Sequence, residues 1–186
     1  MPARHDLATD PAVLADLLFA RRGQAYYSRK LKELSNADLY RPALDPSWSR
    51  AHVVAHVGFT TRSRARAAEA VLTGHPIELE DEVGTYETVE YGATLTPIAL
   101  RNLAQHAAIH LNVAWRDLPP DAWTATVEDQ GENHLIADTL RSHAEMLWLA
   151  AIELNNGARF SDLPARVKDR YEEVKHSMRL SSRVTI

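Results

Sequence analysis

The chain of 186 residues contains no cysteine. Disulfides, thiolate metal ligands and a sulfur nucleophile of its own are therefore excluded, and any thiol chemistry has to be brought by a cofactor. Positive charge is not in excess: 21 Lys and Arg stand against 25 Asp and Glu, a formal net charge of -4. A general affinity for nucleic acid is not expected from that balance. No apolar run is long enough to span a bilayer, and the start Met-Pro-Ala-Arg-His-Asp has no signal-peptide core. Membrane and secretory readings fall away, and a cytoplasmic location is expected. Internal repeats and low-complexity runs are lacking as well.

What is present is an ordinary globular balance, 45% hydrophobic and 25% charged. The length suits a single domain over residues 1–186, with a core over about 10–178 and a tail over 179–186. Helical patterns dominate. The first begins at Asp10-Pro11, an N-cap followed by proline at the first helical position, and runs to about Leu34. A polar loop with Pro42 and Pro46 follows. The second helix opens at Ser49 and stops at Gly74, with Val53, Val57 and Ala68 as inward candidates. Residues 78–91 are acidic and carry Gly84, which marks a long loop of the kind that forms lids or binding edges.

The third helix starts at Thr96-Pro97 and continues to Leu118, burying Leu100, Leu103, Ala107, Leu111 and Ala114 at helical spacing. A short extended piece is expected over 124–127. The fourth helix runs over about 137–156 to Gly157, on the stripe Leu140, Leu147, Ala151 and Leu154. A final helix opens at Ser161-Asp162 and frays into a polar tail over 181–186. The expected fold is an all-α four-helix bundle with long crossover loops and an additional C-terminal helix.

Nine histidines are a rich supply for this length. His52 and His56, four apart, lie on one face of the second helix, where imidazoles bind metals or move protons near neutral pH. On spacing alone, one buried and one solvated histidine explains them as well. His106 and His110 repeat that spacing on the third helix, and His110 borders the apolar stripe. On the fourth helix His143, Met146, Ala150 and Glu153 share a face. Met is a poor ligand for hard or borderline divalent ions and Ala is none, so that face reads as packing. Arg21, Arg22, Arg62, Arg64 and Arg66 carry little weight beyond a solvated helix face.

Several blocks in order carry a family resemblance: Tyr27-Ser28-Arg29-Lys30-Leu31, Trp48-Ser49-Arg50-Ala51-His52-Val53-Val54-Ala55-His56-Val57, Tyr91-Gly92-Ala93-Thr94-Leu95 and Ala99-Leu100-Arg101-Asn102-Leu103. Val113-Ala114-Trp115-Arg116, Asp121-Ala122-Trp123 and Phe160-Ser161-Asp162-Leu163-Pro164 extend them. Through these blocks the chain resembles the N-terminal domain of mycothiol-dependent maleylpyruvate isomerases, within the DinB-like superfamily of helical bundles.

The resemblance implies a divalent metal, usually zinc, held by three side chains. One is the second histidine of W-S/T-x-x-H-x-x-x-H, which falls on His56. The others are a Glu and a His in a helical R-E-V-W-x-H-x-x-D-L motif. With Trp148 and Ile152-Glu153-Leu154 as anchors, those positions become Met146 and Ala150. A one-residue slip would bring in Glu145 but put Leu149 where His is required. His56 is thus the only matching ligand. A rearranged site of His56, His143 and His52 would need a shift of about 5 Å, one helical turn. Full-length relatives also carry a C-terminal α/β domain with a catalytic arginine, and the chain stops soon after the fifth helix, so neither is expected here.

These departures lead to a small-molecule enzyme on a DinB-like scaffold, metal-independent, that isomerises, cyclises or eliminates from an intermediate of specialised metabolism. His56 and His52 are the catalytic candidates, with Trp48, His110, His143, Met146, Leu147 and Ala150 lining the substrate pocket. An apolar setting should depress the pKa of His56 and keep it neutral. No cofactor is expected on this reading. Two alternatives stand beside it: a mycothiol-dependent isomerase or transferase with a rearranged zinc site, and a non-catalytic binding protein. The partner expected is a small-molecule substrate, and pairing of two bundles into a homodimer is left open.

Overall fold

A computed structural model describes residues 5–75, 88–129 and 132–169. Helix α1, Pro11–Lys32, starts because the Asp10 carboxylate accepts the Ala12 N–H at 2.7 Å and Pro11 has no N–H to satisfy. Helix α2, Arg50–Thr73, follows a 3-10 turn at Ala37–Tyr40. Helix α3 is the short Val89–Ala93. Helix α4, Pro97–Asp117, is capped by Thr96, whose hydroxyl accepts the Ala99 N–H at 3.3 Å. A 3-10 turn at Pro120–Thr124 leads into strands β1, Thr126–Asp129, and β2, Glu132–Leu135. They pair antiparallel with Thr126 opposite Leu135 and Asp129 opposite Glu132. Helix α5, Ile136–Glu153, completes the bundle, and a 3-10 turn at Phe160–Asp162 precedes helical residues 165–169.

The expected all-α bundle is what forms. Helices α2 and α4 pack along their length, α1 packs on α5, and α5 meets α2. Among the described residues α1 and α4 make no comparable contact. The inward stripes are those read from periodicity, including Val53, Val57 and Ala68 on α2, Leu100 to Ala114 on α4 and Leu140 to Leu154 on α5. The core divides along the bundle axis. One half gathers Tyr27, Leu31, Val54, Leu100, Leu147 and Leu154, and the other Leu17, Leu111, Trp115, Leu118, Ile136 and Leu140. No helix of the described residues is long and apolar enough to cross a membrane.

Four boundaries differ from expectation. The acidic segment ends in helix, not loop: Thr88 caps α3, which packs on α2, while residues 76–87 lie outside the described part. The extended piece shifts to Thr126–Asp129 because the 3-10 turn occupies 120–124, and it gains a partner strand. Helix α5 stops at Glu153 because the Arg50 guanidinium takes the carbonyls of Leu154 at 2.6 Å and Asn155 at 2.7 Å. At Ser161-Asp162 the chain forms a 3-10 turn, and helix resumes only at 165. The expected tail falls outside the described residues.

Gly58 sets the approach of α2 to α4. A Cβ there would fall 2.6 Å from Cγ of Leu103, closer than two carbons can sit. Gly58→Ala is expected to destabilise the fold by about 1–3 kcal/mol through overpacking. Adding Leu103→Ala should recover part of that loss, because the clash is removed. Urea unfolding of the two single variants and the double variant measures the coupling.

Candidate functional site

The first two turns of α2 bring two imidazoles against one indole, and this cluster of rings is the cleft referred to below. The preceding loop is strapped down at both ends. Ala43 N–H donates to the Trp48 carbonyl at 2.8 Å, and Leu44 N–H donates to the Glu153 carbonyl at 2.9 Å. This holds the Trp48 ring over the helix, 6.0 Å from the His52 ring and 5.8 Å from the His56 ring, the latter edge-on.

The two histidines do different work. His52 closes a reciprocal cap: the Ser49 N–H donates to its Nδ1 at 3.2 Å, and the Ser49 hydroxyl lies 2.7 Å from the same nitrogen. Because a backbone N–H can only donate, Nδ1 is the acceptor and the neutral ring carries its proton on Nε2. The spacing that suggested a chemical pair is, for His52, helix-capping architecture. His56 is half-buried and makes no hydrogen bond with any described residue. Desolvation lowers its pKa below the ordinary 6.5, and the positive charge of Arg64 lowers it further. The neutral, base-competent imidazole expected from the sequence is the form this environment favours.

The remaining candidates scatter. Met146 packs half-buried against the same cluster as Trp48, and Leu147 and Ala150 are buried members of that cluster. His110 lies elsewhere. Its Nε2 meets Glu69 Oε2 at 3.0 Å on the outer surface, thirteen residues and about 20 Å of helix beyond His56. It does not join the cleft.

His143, 2% exposed, is a core residue. Its Nδ1 lies 3.3 Å from the Arg64 guanidinium, and its ring stands edge-to-face on Trp115 at 5.2 Å. Arg64 is itself buried and donates to both oxygens of Asp129, to Oδ1 from Nε at 3.2 Å and to Oδ2 from Nη2 at 2.7 Å. Burial, then the Arg64 charge, drives the His143 pKa well below 6.5. Arg64 is therefore no part of a solvated basic face, and Arg21 is likewise paired, with Asp6 at 2.6 Å.

Sequence reasoning missed the Asp129 partner entirely. The one signal was that Arg64 lies beside the inward Thr61, Ala65 and Ala68 on α2.

The donor set tests the implied metal. Of the three family positions, only His56 offers a ligand of suitable chemistry. The rearranged set also fails, because His143 Nδ1 is bound to Arg64 and its guanidinium would repel a dication, while His52 Nδ1 is held by Ser49. Among the described residues no three His, Cys, Asp or Glu side chains come together to hold a metal ion. The family's metal centre does not fit these residues.

A helical bundle with an imidazole beside an aromatic ring in the first turns of its second long helix fits the DinB-like fold expected from the resemblance. Residues 20–151 match the family described as the mycothiol maleylpyruvate isomerase N-terminal domain. The chain belongs to that family. Two crystal structures resemble it with a TM-score of 0.74 and 34% identity over 85% of this chain. One is the mycothiol-dependent maleylpyruvate isomerase and the other a histidine-to-alanine mutant of it. The chain covers 66% of the length of those structures, just under two thirds. No curated protein matches it.

The depressed His143 pKa has a consequence for stability. Unfolded, this imidazole titrates near 6.5, whereas in the fold it stays neutral to lower pH. Below about pH 6.5 the unfolded chain therefore takes up a proton that the fold refuses, and stability falls by about 1.4 kcal/mol per pH unit. Urea midpoints at about pH 7.5 and about pH 5.5 should differ in that direction, and His143→Gln should flatten the difference.

Proposed function

We propose that this domain is an isomerase-type enzyme in which neutral His56 moves a proton on a small, unsaturated organic molecule held against Trp48. Isomerisation, cyclisation or elimination all need such a step: a base removes a proton from carbon, and the same imidazolium returns it at another atom or to a leaving group. The observation that carries this reading is the imidazole of His56, half-buried, without a hydrogen bond to any described residue and with its pKa lowered. Trp48 at 5.8 Å supplies a flat apolar face for a conjugated substrate. The apolar neighbours Met146, Leu147 and Ala150 exclude water around it. The step is assigned to the side chain because, among the described residues, no three potential ligands gather beside His56.

A second reading is favoured by the family match, a mycothiol-dependent isomerase. The chain has no cysteine, so the thiol would be the cofactor's. A neutral His56 could accept the thiol proton and so supply the thiolate nucleophile.

Incubation of the purified chain with maleylpyruvate, with and without mycothiol, and with and without a chelator, separates the readings. Unassisted proton transfer by His56 is expected to be chelator-insensitive and to need no thiol. The rate should rise with pH in the acid range and level off already below about pH 6.5, because His56 loses its proton below its ordinary value. His56→Gln should reduce turnover by about 100-fold or more. Thiol dependence moves the assignment to the second reading. A His56→Gln variant as active as the parent, or no turnover and no binding at this cleft, removes both in favour of a non-catalytic role.

A further inference from the structure

Trp48 belongs to a loop that closes on itself. Pro42 bridges to Ser49, Ala43 N–H donates to the Trp48 carbonyl at 2.8 Å, and Arg50 N–H donates to the Arg41 carbonyl at 3.0 Å. Asp45 shapes the tip. Its Oδ1 accepts the Ser47 N–H at 2.9 Å and the Ser47 hydroxyl at 2.8 Å, and its carbonyl accepts the Trp48 N–H at 3.1 Å.

Outside the loop, residues 43–48 have a single hydrogen-bond partner among the described residues, Glu153 at the end of α5. The Glu153 carbonyl accepts the Leu44 N–H at 2.9 Å, and its Oε2 accepts the Asp45 N–H at 3.3 Å. Asp45 is therefore bonded through its N–H to Glu153 and through its carbonyl to Trp48. A displacement at one end crosses one residue to reach the other.

Local rules disfavour a carboxylate at this place. Glu153 is the last residue of α5, where the helix dipole is negative, and that last turn holds no basic residue. The side chain is half-buried. Burial pushes its pKa above the ordinary value, the Asp45 N–H pulls against that, and the Asp45 carboxylate adds to the rise. A residue that breaks local rules is expected where another role compensates. Met146, Ala150 and Glu153 follow one another along one face of α5, and the first two pack in the cluster that Trp48 joins.

We propose that the Glu153 carboxylate is a positioning residue: by holding the Asp45 N–H it sets where the Trp48 indole stands relative to His56. It acts through the loop and touches no substrate. The functional value of that position rests on the reading of Trp48 as the face that holds the substrate. The ring positions themselves are measurable without any substrate, so the two can fail separately.

Nuclear magnetic resonance of the full chain, labelled on histidine and tryptophan, reads those positions at about pH 8, where His56 is neutral and Glu153 ionised. Trp48→Phe and His56→Gln assign the two signals. Glu153→Met, similar in length but without an acceptor, should shift the Trp48 indole signal and change the ring-current shift that Trp48 imposes on His56. Glu153→Gln keeps an acceptor oxygen and should leave both signals near their parent positions. Trp115 and Trp123, buried in the other half of the core, should stay in place in both variants. With maleylpyruvate as the probe, Glu153→Met should raise KM by about tenfold and change kcat by less than about twofold. The proposal is overturned if Glu153→Met leaves the Trp48 and His56 signals unmoved, if Glu153→Gln moves them as far, or if the Trp115 and Trp123 signals move with them. Should the rings move while KM does not, the positioning stands and the substrate role of Trp48 fails.

Discussion

Arg64 carries a full positive charge into the middle of the bundle, and much of the surrounding structure follows from accommodating it. A buried guanidinium is costly unless its charge is paired and its N–H groups are bonded. Asp129 provides the opposite charge through both oxygens, and His143 accepts a further hydrogen bond. The β1–β2 hairpin, which brings Asp129, is thereby fastened across α2. The same contact fixes the tautomer of His143, and the same charge helps hold both His143 and His56 in the neutral form. One buried ion pair thus registers α2, the hairpin and α5.

Two other arginines show how much of a recognisable motif can be architecture. Arg50 takes the carbonyls that end α5, and Arg101 takes those that end α1. Each supplies donors and positive charge where a helix C-terminus leaves carbonyls unsatisfied. Within the block from Trp48 to His56, Ser49 and His52 cap the helix and Arg50 ends a neighbouring one. Once those roles are assigned, His56 and Trp48 are what the block leaves for chemistry. Such a block can therefore serve the fold through most of its residues, whatever the facing helix presents at Met146 and Ala150.

Polar groups in the apolar parts of this bundle meet two different fates. At the cleft a single imidazole is left unbonded beside an aromatic ring, which suits proton transfer. Deeper in the core, Tyr27 Oη and Trp115 Nε1 are buried with no hydrogen-bond partner among the described residues.

Local chemistry made the helices legible. Asp10-Pro11 and Thr96-Pro97 start them, and apolar spacing on α2, α4 and α5 names the buried stripes, because those signals act within a few residues. The chemistry of Met146 and Ala150 was equally legible, since a thioether and a methyl are poor ligands wherever they point. The pairing of Arg64 with Asp129 was not, because 65 residues separate them and only the hairpin's docking brings them together. The same holds for His110, which periodicity placed at the edge of the core and the packing of α4 on α2 placed beside Glu69. The sequence by itself determined which segments are helical, where they start and which faces are apolar. Only tertiary structure decided which imidazole is a cap, which is a core acceptor and which is free, because a side chain's role depends on partners that the bundle brings from other helices.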